Sequence, residues 1–275
     1  MKTKRLRIID SHLHFCDFPG FDKIALEAGH VNNEENLRAS YEQYHYVHGI
    51  VMSNRTLDPK AHVYPEFLSY CIGLDSPECN ENVAAVMPLV EENLKKPQCC
   101  GIKLYPGYNH YYVSDVRYNP VYEMARQYDV PVAVHMGLTA TDNGLLKYSH
   151  PLTLDEAAVK YPDVTIVMCH FANPFLQDAI AVFEKNHNIV IDLSGLLEGK
   201  IHDMERFMQE KKGYIQMLHD WLSYVGDYER VMFGTDWPLA NLGDYVTFVK
   251  AFIPERYWED VFFNNANRIY RLGLK

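Results

Sequence analysis

VPVAVHMG, Val130–Gly137, is an apolar, β-branched run that ends in a histidine. A strand with one face in water alternates apolar and polar residues. This one does not, and so predicts a strand buried on both faces, as in a parallel sheet. The same pattern extends outward in both directions. Toward the C-terminus lie VTIVMCHFA (164–172), IVIDLSG (189–195) and RVMFGTDWP (230–238). Toward the N-terminus lie GIKLYP (101–106), LSYCIGL (68–74), HGIVMSN (48–54) and RIIDSHLHF (7–15). Amphipathic stretches between them predict helices beginning at VAAVM (83–87) and running through PLVEENLKK, then at 119–128, 154–161, 174–187, 203–225, 244–252 and 264–272. Eight strands alternating with helices, without a linker, predict an α/β fold: a single (β/α)8 barrel domain over residues 1–275. A doubly wound open sheet is the alternative.

The 275 residues are 48% hydrophobic and 23% charged, with a formal net charge of −10. That balance argues against nucleic acid or an anionic membrane as a partner. No apolar run approaches the ~20 residues of a membrane span. The basic start, MKTKRLRIID, passes directly into a strand with no apolar leader core, so a cytoplasmic location is expected. The six cysteines are scattered, and adjacent Cys99 and Cys100 do not suggest a disulfide framework, so reduced thiols are expected.

In barrels of this kind the active site sits at the carboxyl ends of the strands. The polar residues that end otherwise apolar strands are His12 and His14, Lys103, His135, His170 and Asp236. In the first strand, simple alternation puts Ile8, Asp10, His12 and His14 on one face. A single buried histidine is usually a satisfied core residue. Four histidines and an aspartate at one end of a barrel are different: burying them unpaired would cost roughly several kcal/mol unless something such as a metal satisfies them.

The order of motifs DSHLH, GIKLYPGY, VAVHMG, VMCHFANP, IDLSGL, FGTDWP and NNANRIYRL resembles the amidohydrolase superfamily, and within it the amidohydrolase-2 group of metal-dependent hydrolases and decarboxylases. The likeness spans nearly the whole chain and implies a (β/α)8 barrel with a divalent metal. Carried over by position, it implies that His12, His14, His135 and Asp236 bind the ion, with Asp236 also taking a proton from water. His170 would orient that water or hold a second ion. Nitrogen and carboxylate ligands suit zinc, with manganese or iron as alternatives. One ion is expected, or two if Lys103 is carbamylated and bridges them. Otherwise Lys103 is an ammonium pairing with a substrate carboxylate, or a strand-end lysine reaching solvent.

A metal of this kind polarises a carbonyl and lowers the pKa of bound water to ~7. The leading expectation is therefore hydrolysis of a small amide, ester or lactone. Decarboxylation of an unsaturated or aromatic acid on the same site is the second, and a non-catalytic metal-binding paralogue the third. The partner is expected to be a small molecule carrying a carboxylate, with a homodimer left open. Substrate contacts are expected from Arg55 after the second strand, and from Tyr105 and Tyr108 in the tyrosine-rich tract Tyr105–Asp115. That tract serves equally as a packed lid. The loop Leu138–Pro151 is placed to close over the site.

Overall fold

Each apolar run becomes a strand in the computed structural model, which describes residues 5–15, 18–53 and 56–275. The strands are β1 Ile8–Leu13, β2 Tyr46–Met52, β3 Leu68–Leu74, β4 Cys99–Leu104, β5 Val132–Val134, β6 Ile166–Met168, β7 Ile189–Asp192 and β8 Val231–Met232. They pair in sequence order, every pair parallel. The ring closes between β8 and β1. The Ser11 N–H donates to Phe233 O (3.0 Å), Asp236 N–H to His12 O (2.8 Å), and Leu13 bridges Trp237 in parallel.

Several expected strands are shorter than their apolar runs. β5, β6, β7 and β8 stop at Val134, Met168, Asp192 and Met232, and the rest of each run leaves the ladder. The polar tips therefore belong to the turns above the barrel, where their side chains are released from strand alternation.

The expected parity of β1 is corrected by the structure. Ile8 packs in the layer between barrel and helices, whereas Ile9 lies in the lumen with Ile50, Cys71, Ala133, Val167, Val190 and Met232. Register shifts fall between Ile8 and Ile9 and between Asp10 and Leu13, so Ile8 does not share a face with His12. The bulge re-aims the end of the strand, as bulges near active sites commonly do.

Helices Pro19–Glu27 and Glu34–Tyr44 were not expected from the sequence. In the second, EENLRASYEQY, only Leu37 and Tyr41 are buried, so its apolar stripe is one i,i+4 pair wide and too narrow to announce a helix. Its N-cap is legible in retrospect: the Asn33 side chain accepts from the Asn36 N–H. The expected helix over 203–225 divides into Met204–Glu210 and Lys212–Val225, just before Gly213, a weak helix former. Near the C-terminus, Phe263, Ala266, Ile269 and Tyr270 plug the lower mouth of the lumen. No helix among the described residues is long and apolar enough to cross a membrane.

Candidate metal centre

Above that plug the lumen turns polar. His12 and His14 end β1, and Asp236 sits in the turn after β8 with a left-handed backbone (φ 63°). His170 follows β6, where His170, Phe171 and Ala172 are all left-handed. Three consecutive non-glycine residues there are costly, and such strain persists where surrounding structure enforces it. The turns bring His12, His170 and Asp236 within 4.8 Å of one another, and His14 joins them through Asp236.

Tautomers follow from the hydrogen-bond partners. His12 Nδ1 lies 2.9 Å from Asp192 Oδ2, and His14 Nδ1 lies 3.1 Å from Met52 O. Both partners are acceptors, so in each neutral ring the proton is on Nδ1 and the lone pair on Nε2. Those Nε2 atoms stand 3.5 and 3.2 Å from the same oxygen, Asp236 Oδ1. His12 Nε2 and Asp236 Oδ1 are both buried without a hydrogen-bond partner. Lone pairs converging on a point with no proton between them repel, and a buried polar atom left unpaired costs about 1–3 kcal/mol. A divalent cation removes both penalties. The donor set therefore fits the metal that the sequence implies.

The electrostatics agree with that arrangement. Burial, reinforced by the nearby Lys103 ammonium, pushes the His12 pKa down to about 3 and keeps its ring neutral. Burial and the Lys103 charge also lower His170 and His135. Burial alone would raise the Asp236 carboxyl. His14, His170 and His12 around it outweigh burial and hold it well below the usual range. Neutral nitrogens beside an ionised carboxylate are the states that metal binding requires.

His135 is placed differently from the expectation drawn from the resemblance. Its Nε2 donates to Leu138 O (2.8 Å), so its Nδ1 accepts from His170 Nε2 (3.0 Å). It therefore lies one residue removed from His12 and Asp236, linked to them through His170. Lys103 is fully buried in the lumen, its Nζ 3.0 Å from Cys169 Sγ and 5.3 Å from the centre of the Tyr105 ring. A second cluster of His12, Cys169 and Asp192 lies there, but the lysine ammonium already supplies its cation.

Tyr105 and Tyr108 stand beside His135, one stacked at 6.4 Å and one edge-on at 5.0 Å. The Tyr108 hydroxyl accepts from the Ala140 N–H, and Leu145 N–H donates to Gly107 O, so the loop after β5 is tied to the tyrosine tract. Tyr111 instead packs on Arg117, and Tyr112 on Tyr148. Arg55 lies outside the described residues.

Of three further residues that matter here, only Asp10 was named from the sequence, and it was given no role. Asp10 is buried and accepts from the Thr235 N–H and hydroxyl, tying β1 to the turn that carries Asp236. Asp192 bonds His12 from behind. Gly195 (φ 63°) leaves no room for a side chain, since a Cβ there would stand 2.7 Å from His170 Nδ1. The IDLSGL motif held two of these three, but a strand-end aspartate has no signature that says which histidine it will meet.

A sequence model of the amidohydrolase-2 type, described as amidohydrolase, matches residues 79–272. No curated protein matches the chain. Among solved structures, an uncharacterised TIM-barrel protein from Bordetella bronchiseptica superposes with a TM-score of 0.68 at 17% identity, over 97% of this chain and 99% of that one. A candidate 2-pyrone-4,6-dicarboxylic acid hydrolase from Pseudomonas putida gives 0.64 at 17%, over 99% and 100%. A dihydroxybenzoic acid decarboxylase from Polaromonas sp. JS666, with bound manganese and the inhibitor 2-nitroresorcinol, gives 0.62 at 17%, over 98% of each chain.

Proposed function

The chain belongs to the amidohydrolase family, whose members of this type are metal-dependent hydrolases and decarboxylases, and from that premise we propose that it hydrolyses a small amide, ester or lactone. The observation that carries the reading is the pair of buried, unpartnered atoms, His12 Nε2 and Asp236 Oδ1, 3.5 Å apart beside His14 and His170. These four residues hold the ion, and His135 joins them by exchanging its bond to His170. Zinc fits the donor set best, with manganese next. When bound, the ion polarises the substrate carbonyl and makes water a stronger acid.

The remaining work falls to the chain's own side chains. Asp236 turns Oδ1 toward His12 and His14, which leaves Oδ2, 3.9 Å from His170 Nδ1, to accept the proton of the attacking water. His170, whose Nε2 donates to His135 Nδ1 and whose Nδ1 stands 2.9 Å from Ser194 Oγ, orients that water. Tyr105 and Tyr108 flank the substrate with flat apolar faces. Lys103 supplies positive potential from below for a substrate carboxylate, with its ammonium enclosed by Cys169 and Tyr105. The free thiols of Cys71, Cys79, Cys99, Cys100 and Cys169 suit a reducing, cytoplasmic setting.

The two tyrosine rings favour one second reading, decarboxylation of a planar aromatic or unsaturated acid. The decisive experiment screens metal-quantified protein against lactones, amides, esters and carboxylic acids in 18O-labelled water. Hydrolysis places the label in the product. Decarboxylation releases carbon dioxide and consumes no water. A chain that takes up no divalent ion and turns over none of these classes overturns both.

A further inference from the structure

We infer that Asp192 is a positioning residue whose single carboxylate sets the metal-binding lone pair of His12 and shapes the turn that presents His170. This rests on the metal reading above. Asp192 is fully buried at the end of β7, and its two oxygens face different parts of the site. Oδ2 accepts from His12 Nδ1 (2.9 Å). Oδ1 accepts from the backbone N–H groups of His170 (2.9 Å) and Ser194 (3.1 Å), and from the Ser194 hydroxyl.

Three donors on Oδ1, two of them backbone N–H groups, are the partners of a carboxylate. An ionised carboxylate cannot donate, so the His12 proton must stay on Nδ1 and the Nε2 lone pair must point at Asp236. On its other side the same group holds the left-handed His170 (φ 62°, ψ 19°) through that residue's N–H. Residues from β1 and from the turn after β6 are thus held in register by one side chain of β7.

The geometry makes Asp192→Asn an informative change. A carboxamide has one acceptor oxygen, and two backbone N–H groups, which cannot reverse, keep it at the Oδ1 position. The NH2 then faces His12 Nδ1, and the His12 proton moves to Nε2, where it blocks the metal. The experiment uses the full chain, stripped with a chelator, with 15N-labelled histidine and direct titration of zinc and manganese. In the parent, His12 is expected as the Nδ1–H tautomer. In Asp192→Asn it is expected as Nε2–H, with affinity for both ions reduced about 10–100-fold.

Ser194→Ala removes a donor to Oδ1 but leaves the His12 bond, so the His12 tautomer separates this effect from general loosening. It should keep the parent Nδ1–H tautomer, and an Nε2–H tautomer there would overturn the inference. Parent protein showing His12 as Nε2–H overturns the inference, even if Asp192→Asn fails to fold. So does an Asp192→Asn protein that keeps parent affinity. A parent chain that binds neither ion removes the metal reading itself, and with it this inference, whichever tautomer is seen.

Discussion

The lower and upper halves of the lumen are built from the same strands and the turns that follow them, yet their chemistry is opposite. Ala133 on β5 is followed two residues later by His135, Val167 on β6 by Cys169, and Val190 on β7 by Asp192. A step of two residues is ~6.6 Å along a strand, which for Asp192 stays within β7 and for His135 and Cys169 passes into the turn above the strand. Over that distance an apolar packing layer gives way to paired charges and unsatisfied lone pairs. Depth along the axis decides the role, and which strand supplies the residue matters less. In the lower layer the polar groups at the rim pair with each other, as His48 Nε2 does with Ser69 Oγ (2.9 Å). The upper layer holds the buried, unpartnered atoms on which the proposed metal site rests.

This contrast is broken most severely at Asp236. Asp236→Asn keeps an oxygen ligand but loses the proton acceptor. Turnover on the true substrate should fall about 10²–10⁴-fold, the scale of general base catalysis, while metal content falls much less. An Asp236→Asn protein with near-parent turnover removes the proton-transfer role.

The converse change lies in the lower half. Ile50→Ala, in the packed apolar layer, should cost about 2–5 kcal/mol of unfolding free energy through lost burial and the cavity left behind. Its zinc affinity should stay within about twofold of the parent. A urea unfolding curve and a metal titration on the same protein check both, and a large fall in affinity would show that the layers are energetically coupled.

Lys103 lies at the boundary between them. Lys103→Met should leave about one ion per chain and raise KM about tenfold for an anionic substrate. A unit charge roughly 10 Å away acts with about 1.7 kcal/mol at an effective dielectric near 20. Two ions per chain, lost together in Lys103→Met, would show instead that the lysine is carbamylated and bridging.

The smallest effect belongs to His48, at the opposite end of the lumen from the site. Burial pushes its pKa down to about 4, below the ~6.5 of an unfolded chain. A depressed histidine contributes stability that is present above pH 6.5 and is lost as the pH falls toward 4, because the unfolded state then takes up the proton. His48→Gln should make stability between pH 6.5 and 4.5 less steep by at most one proton, roughly 1.4 kcal/mol per pH unit. Unfolding curves at several pH values in chelator measure that slope, and an unchanged slope means that His48 does not titrate there.

Much of this molecule was legible in the linear chain because burial on both faces leaves an uninterrupted apolar signature. LSYCIGL became the strand Leu68–Leu74, and NPVYEMARQY the helix Asn119–Tyr128, residue for residue. The helix Glu34–Tyr44 escaped notice because the barrel buries only two of its side chains. In the site, His12, His14, His170 and Asp236 were legible as polar residues that a buried strand end would not otherwise carry. Their grouping depended on the bulge in β1 and the left-handed turn at His170, and neither has a period that can be read from spacing.

The sequence by itself determined the barrel, its lumen and the end at which polar groups gather, since strand period and hydrophobicity are local properties of the chain. Only the tertiary structure decided that Asp192 stands behind His12, that His135 turns to Leu138 and His170, and that Lys103 is walled in by Cys169. Those are pairings between residues as much as 180 positions apart. They are fixed by the strand register that closes the ring, which no local stretch of sequence contains.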